Sequence, residues 1–343
     1  MRKVLITGAS GLTGSHIAEY FLKMEENIIC LVRKSSNIDF LRQINATIRY
    51  GDILDSRSLL SAMKDVDIVI HTAAKVADWG DYQQFFESNV IGTINVLRAA
   101  YLAGIKDVII TGSNSCYGEE SSAKVKDEDC EYAPHYKYFM DKIFPSAMNY
   151  YRDTKAMANT EALKFASEKV MNLTIIEPAW IYGEREFHSG IYEYLRILKS
   201  GVKIMPGSKK NKFHTIYARD LAKIYYLAYK KQLQGVHKIL AVDPEPKLQY
   251  YLFNALCNQS GLAKPKRIPK YIIYPPAFLI EAFYTLYGIK SPPAITRARV
   301  NMFYDNIEYS CRKAEILLGF TPDYTFQQSI ANTVKWYKDN KYL

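Results

Sequence analysis

Cysteine is scarce in this chain and follows no pattern. Cys30, Cys116, Cys130, Cys257 and Cys311 are odd in number and widely scattered. None forms a C-x-x-C pair and none has a histidine at metal-ligand spacing, which argues against a disulfide scaffold and against a bound metal. Long hydrophobic runs are missing too. The most apolar stretch, Tyr271 to Tyr287, falls short of the roughly 20 residues that a bilayer requires. It is also interrupted by Pro275, Pro276 and Glu281. Phe278, Ile280, Phe283 and Leu286 are therefore expected to wall an apolar pocket, with peripheral membrane contact left open. No leader pattern precedes the first strand-like run, so a cytoplasmic location is expected. Repeats and low-complexity tracts are absent. Lys and Arg outnumber Asp and Glu by 45 to 35, a net charge of +10. That charge is spread along the chain, with a local cluster at Lys209, Lys210 and Lys212. Without an RNA-binding signature it reads as a solvated basic surface that tolerates an anionic cofactor, and no nucleic-acid partner is expected.

What the chain does contain is alternation. Apolar runs near 3–7, 27–32, 47–50, 67–71, 106–111 and 172–177 read as strands, and helical patterns near 12–24, 56–63, 82–103 and 147–169 fill the gaps. Strands alternating with helices of this length predict an α/β fold built on a doubly wound parallel sheet. Ligands in such sheets bind at the carboxyl ends of the strands, where the strand order reverses. After about residue 178 the pattern breaks at Gly190, Gly201, Pro206-Gly207, Pro244, Pro246 and further prolines. We therefore expect a nucleotide-binding core over 1–177. Residues 178–343 are expected to form mainly a smaller substrate-binding lobe, with some segments returning to the core.

The first strand runs directly into Gly8-x-x-Gly11-x-x-Gly14, and an amphipathic helix follows. A strand that breaks through glycines into a helix places free backbone N–H groups and a positive dipole end at one point, which suits a pyrophosphate. The second strand ends in Arg33-Lys34-Ser35-Ser36, with no carboxylate before Asp39. An acidic residue there would accept from a free ribose 2′-hydroxyl, whereas arginine can grip a 2′-phosphate with two parallel hydrogen bonds. The charge pattern thus favours NADP over NAD. Gly51-Asp52-Ile53 closes the third strand, where a carboxylate can accept from an adenine amino group. The small residues Ala73 and Ala74 after the fourth leave room for a cofactor to lie across it.

Tyr151-Arg-Asp-Thr-Lys155 sits inside a helical stretch. Residues four apart share one helix face, and an ammonium beside a phenol lowers the tyrosine's pKa, making it a usable acid or base. Tyr150 has only Thr154 at that spacing, so Tyr151 is selected. A hydroxyl cluster, Thr111-Gly-Ser113-Asn-Ser115-Cys-Tyr117, precedes this helix at the end of the fifth strand.

Taken in order, Gly8-x-x-Gly11-x-x-Gly14, Asp52, Asn89-Val-Ile-Gly92-Thr93, Ser113, Tyr117-Gly118, Tyr151-x-x-x-Lys155 and Pro178-x-x-Ile181-Tyr182-Gly183 resemble the extended short-chain dehydrogenase/reductase superfamily across nearly the whole chain. The resemblance implies a Rossmann core and a nicotinamide cofactor. It implies Tyr151 as proton donor or acceptor, Ser113 as polariser of the substrate oxygen, and Lys155 as anchor of the nicotinamide ribose. Ser10, Leu12, Thr13, Arg33, Lys34, Asp52, Ile53, Ala73, Ala74, Asn89, Pro178 and Ile181 are implied as cofactor neighbours, with Asn89 a support more than a catalyst. Asn114 and Ser115 stand where related dehydratases carry Asp-Glu, which disfavours dehydration. The tail, Ser291 to Val300 and Cys311 to Pro322, is similar to the 3β-hydroxysteroid dehydrogenase and dihydroflavonol reductase branch. Glu177, where many relatives have arginine, and Tyr217-Ala-Arg219-Asp220 depart from the family pattern. The expected activity is hydride transfer to or from a carbonyl or secondary alcohol of a relatively hydrophobic small molecule. A nucleotide-sugar epimerase or reductase and a non-catalytic NADP sensor are the alternatives, and a homodimer is left open.

Overall fold

The computed structural model describes residues 2–118, 124–187 and 190–343. Six strands follow from the apolar runs: β1 (Lys3–Thr7), β2 (Asn27–Val32), β3 (Thr47–Tyr50), β4 (Ile68–His71), β5 (Asp107–Thr111) and β6 (Asn172–Pro178). With a seventh strand, Val236–Ala241, they form one sheet in the order Val236–Ala241, β6, β5, β4, β1, β2, β3. All pairings are parallel. Val4, Leu5 and Ile6 are wholly buried in succession, because a parallel sheet is covered on both faces and has no solvent side to alternate toward. The chain enters at β1, in mid-sheet, and the order reverses between β1 and β4. Thr7 lies in register with Leu31 on one side and His71 on the other, so three strand ends converge there.

Helix α1 (Leu12–Lys23) buries Ile17, Ala18 and Phe21 on one face of the sheet, beside Leu221, Ala222, Ile224 and Tyr225 of the helix Ala218–Lys231. The second half of the chain thus contributes both a strand and a covering helix to the sheet. The opposite face is covered by Ser56–Ala62, Gly92–Leu102 and Ala147–Glu168, which bring Leu59, Val96, Leu97, Ala162 and Ala166 against Leu5, Leu31 and Ile110. A separate apolar cluster, including Tyr194, Leu195, Phe253, Leu256 and Tyr337, forms the core of the remaining C-terminal segments.

Besides the unexpected seventh strand, two elements differ from the sequence reading. The helix expected over 82–103 is three pieces: Tyr82–Phe85, a π-helical segment Phe86–Ile91, and Gly92–Leu102. A π turn holds one extra residue per turn, which a 3.6-residue periodicity does not register. The second is the helix Lys270–Leu286, which buries only Ala277, Glu281 and Ala282. Phe283 and Leu286 are 51% and 71% exposed, so the expected pocket wall is corrected: this apolar face looks outward. The cause is an ion pair. Arg297 Nε donates to Glu281 Oε2 at 2.8 Å with both side chains buried, and this fixes the rotation of the helix about its axis.

Candidate active site

The turn after β1 is shaped by what its glycines lack. Gly8 has φ +66°, and a Cβ there would stand 2.6 Å from the Ala73 backbone nitrogen. At Gly14 a Cβ would lie 2.4 Å from the Gly8 carbonyl oxygen, so α1 can close onto β1 only through a bare Cα. The Gly11 N–H donates to that same oxygen at 3.0 Å. Gly11 then opens α1 with no side-chain cap, leaving the first helical N–H groups directed at the turn. This cradle, with Ser10 and Gly11 exposed and Leu12 and Thr13 half-buried, fits a dinucleotide pyrophosphate.

Around it stand the other cofactor candidates. Arg33 and Lys34 are exposed on a turn closed by the Ser36 N–H donating to the Arg33 carbonyl at 3.0 Å. Asp52 uses Oδ1 to accept from the Leu54 N–H at 2.9 Å. Ile53 packs where Gly92 leaves room, since a Cβ at Gly92 would meet its Cδ1 at 2.5 Å. Ala73 and Ala74 are half-buried beside Gly8. Pro178 is buried at the end of β6, and Ile181 lies in the short strand Trp180–Tyr182 that pairs with Thr215–Tyr217. Pro178 stands three strands from the cradle, across β4 and β5.

Ser113 follows β5 and caps the turn Asn114–Tyr117, accepting from the Ser115 N–H at 3.2 Å; its Oγ is 2.8 Å from Ser115 Oγ. Tyr151 and Lys155 lie one turn apart on Ala147–Glu168. Lys155 is buried, and its Nζ donates to the Thr111 carbonyl at 2.5 Å, which ties the helix to the end of β5. Burial brings this ammonium down to about 8, with Cys116 and Glu177 acting in the opposite direction. Tyr150 turns elsewhere. Its ring stands 5.5 Å from Tyr82 and 6.4 Å from Phe85, and burial raises its pKa.

Asn89, on the π-helical segment, accepts from the Lys75 N–H at 2.8 Å and donates to Thr154 Oγ1 at 3.1 Å. It therefore braces the loop after β4 against the helix of Tyr151 and Lys155. Sequence reasoning missed the chain beside it. Thr93 Oγ1 donates to the Asn89 carbonyl at 2.6 Å, so it must accept from His71 Nε2, 3.1 Å away. His71 Nδ1 then accepts from Thr7 Oγ1 at 2.7 Å. Burial, with Lys155 adding to it, lowers the His71 pKa to about 3, so the ring is neutral.

A second missed cluster sits behind Ser113. Glu177 is wholly buried and accepts from Tyr117 Oη at 2.6 Å, Tyr132 Oη at 2.5 Å and Asn159 Nδ2 at 2.9 Å. Burial pushes its carboxyl up to about 7 against these donors. Asn159 continues the Tyr151–Lys155 series by another four residues, a signal the sequence did hold. The other departures are structural as well: Tyr217 Oη and Arg219 Nη2 both reach Glu184 Oε1, at 2.9 and 2.7 Å. Lys209, Lys210 and Lys212 are exposed, and Lys212 pairs with Glu308 at 3.0 Å.

A parallel sheet with a glycine cradle at its switch point defines a dinucleotide-binding Rossmann fold. The chain belongs to the NAD dependent epimerase/dehydratase family, whose model matches residues 4–242. It is 24% identical over 351 residues to a 3-beta-hydroxysteroid dehydrogenase of Mycolicibacterium neoaurum, covering 98% of this chain and 92% of that one. It is 26% identical over 348 residues to a putative dihydroflavonol 4-reductase of a Synechocystis species, covering 98% and 95%. The fold is also that of UDP-glucose 4-epimerase from Thermotoga maritima, with a TM-score of 0.76, 19% identity and 99% of each chain covered.

Proposed function

We propose that this chain is an NADP(H)-dependent reductase or dehydrogenase that acts on a carbonyl or secondary alcohol of a relatively hydrophobic small molecule. The observation that carries the reading is Lys155: a buried cation, anchored to the Thr111 carbonyl and one helical turn from Tyr151. A cation in that place lowers the cost of the Tyr151 phenolate, so Tyr151 Oη gives its proton to the substrate oxygen in reduction and takes it back in oxidation. Ser113 Oγ donates to the same oxygen and fixes its position. Lys155 would also hold the nicotinamide ribose, the glycine turn and uncapped α1 the pyrophosphate, and Arg33 and Lys34 a 2′-phosphate. When bound, the cofactor supplies or accepts the hydride.

The steroid dehydrogenase and dihydroflavonol reductase relatives support a hydrophobic substrate held mainly by residues 178–343. A nucleotide-sugar enzyme would need cations in that lobe for a pyrophosphate, and the exposed Lys209 and Lys210 are the candidates. The deciding experiment compares binding of a hydrophobic ketone series with UDP- and GDP-sugars in the presence of cofactor. Saturable turnover of a ketone is expected. Micromolar affinity for a nucleotide sugar, lost on replacing Lys209 and Lys210, would transfer the assignment to an epimerase or sugar reductase.

A further inference from the structure

On the outward face of Lys270–Leu286, Ile272, Leu279, Phe283 and Leu286 recur at helical spacing and are 50, 65, 51 and 71% exposed. Phe139 and Ile143, from the loop leading into Ala147–Glu168, are also exposed, and the Phe139 ring stands 5.1 Å from that of Phe278. A contiguous apolar face of this kind marks a surface with a partner. Its rim is basic. Between 264 and 290 the exposed cations are Lys264, Lys266 and Lys290; Arg267 turns inward to the Pro206 carbonyl and Lys270 pairs with Asp305 at 3.4 Å, while the single acid of the segment, Glu281, is buried against Arg297. Lys137 and Lys142 add exposed cations from the neighbouring loop.

We propose that this face docks in the plane of an anionic bilayer surface, with Leu279, Phe283 and Leu286 entering the acyl boundary and the lysines meeting the headgroups. The 17-residue helix lies on the bilayer and does not cross it, and among the described residues no helix is long and apolar enough to span a membrane. A second copy of the chain fits less well, because a two-fold contact would set the same lysine rim against itself. The face adjoins both segments leaving the candidate site. Phe144, just before the helix of Tyr151, packs on Phe278 at 5.8 Å, and Trp79, just past Ala73 and Ala74, donates Nε1 to the Ile289 carbonyl at 3.0 Å. Docking therefore turns this side of the site toward lipid.

Flotation of the full chain with vesicles tests this directly. Binding to equal parts phosphatidylcholine and phosphatidylglycerol is expected, weaker in high salt and weaker still on phosphatidylcholine alone. The double variant Leu279→Glu/Phe283→Glu should lower anionic-vesicle binding at least about tenfold while the chain stays folded, because both side chains are more than half exposed. Lys264→Glu/Lys266→Glu should weaken it as well. The inference is overturned by a folded wild type that floats with neither vesicle, by a double variant that binds as well as wild type, or by sedimentation showing a stable dimer that the double variant dissolves. Vesicle binding is read without substrate or cofactor, so its failure would leave the proposed reaction untouched.

Discussion

Tyr117 Oη donates to Glu177 Oε2 across 2.6 Å, within a site to which Glu177 presents no exposed surface. Tyr117 closes the short turn that Ser113 opens, so the carboxyl on β6 holds the loop that carries Ser113. Lys238 steadies the pair, its Nζ lying 5.2 Å from the Tyr117 ring centroid and 4.8 Å from that of Tyr132. A carboxylate at a position where many relatives carry arginine is accommodated here as a buried anchor.

The anchor has a pH signature. Burial raises the Glu177 carboxyl from 4.5 to about 7, so the fold binds its proton more tightly than the unfolded chain does. Its contribution is fully present below pH 4.5 and is lost as pH rises through 7. Glu177→Gln, which keeps an uncharged group there, should gain about 3 kcal/mol relative to wild type between acidic and mildly alkaline urea melts. Parallel pH profiles for the two proteins would show that Glu177 is ionised and at ease in the fold.

If Tyr151 is the proton donor proposed above, Tyr151→Phe should leave NADPH binding nearly intact and lower turnover by about two orders of magnitude or more. Tyr150→Phe should do far less, since that ring serves the Tyr82–Phe85 cluster. Steady-state kinetics on both variants decides it. Equal losses would mean that the wrong tyrosine has been assigned.

The proposed NADP preference rests on Arg33 and Lys34 at the exposed end of β2. Arg33→Asp should weaken NADPH far more than NADH, because a like charge replaces a phosphate clamp. Fluorescence titration of both cofactors measures this, and a wild type that already prefers NADH would refute the NADP assignment.

Gly8→Ala should cost about 2 to 4 kcal/mol, combining a left-handed backbone with a methyl forced onto Ala73. Denaturant melts without cofactor read the folding cost, and NADPH titration should show weakened binding in the same variant. An alanine tolerated in both would mean that the turn is looser than its contacts indicate.

Much of this was written along the chain. The runs behind β1 to β6 are continuous because both faces of the sheet are covered, so they stand out from their surroundings. The glycine turn and the Tyr151–Lys155 spacing are local and equally legible. What escaped depends on partners distant in sequence. Val236–Ala241 carries His237 and Lys238 in its first half and sits outside the strand–helix alternation, so only its pairing with β6 makes it a strand. Glu177 finds Tyr117 and Tyr132 from 60 and 45 residues away. The side that Lys270–Leu286 buries is set by Arg297, and an apolar composition alone cannot say which way such a helix faces.

The links from Thr7 through His71 and Thr93 to Asn89 run with every donor pointing the same way, from the carboxyl end of β1 to the segment that carries Asn89. A ring that stays neutral down to about pH 3 keeps one tautomer, so the order cannot reverse by protonation at any pH where enzymes ordinarily work. This flank of the candidate site therefore behaves as a fixed dielectric element: its dipoles are oriented before any ligand arrives and need no reorganisation when charge moves nearby.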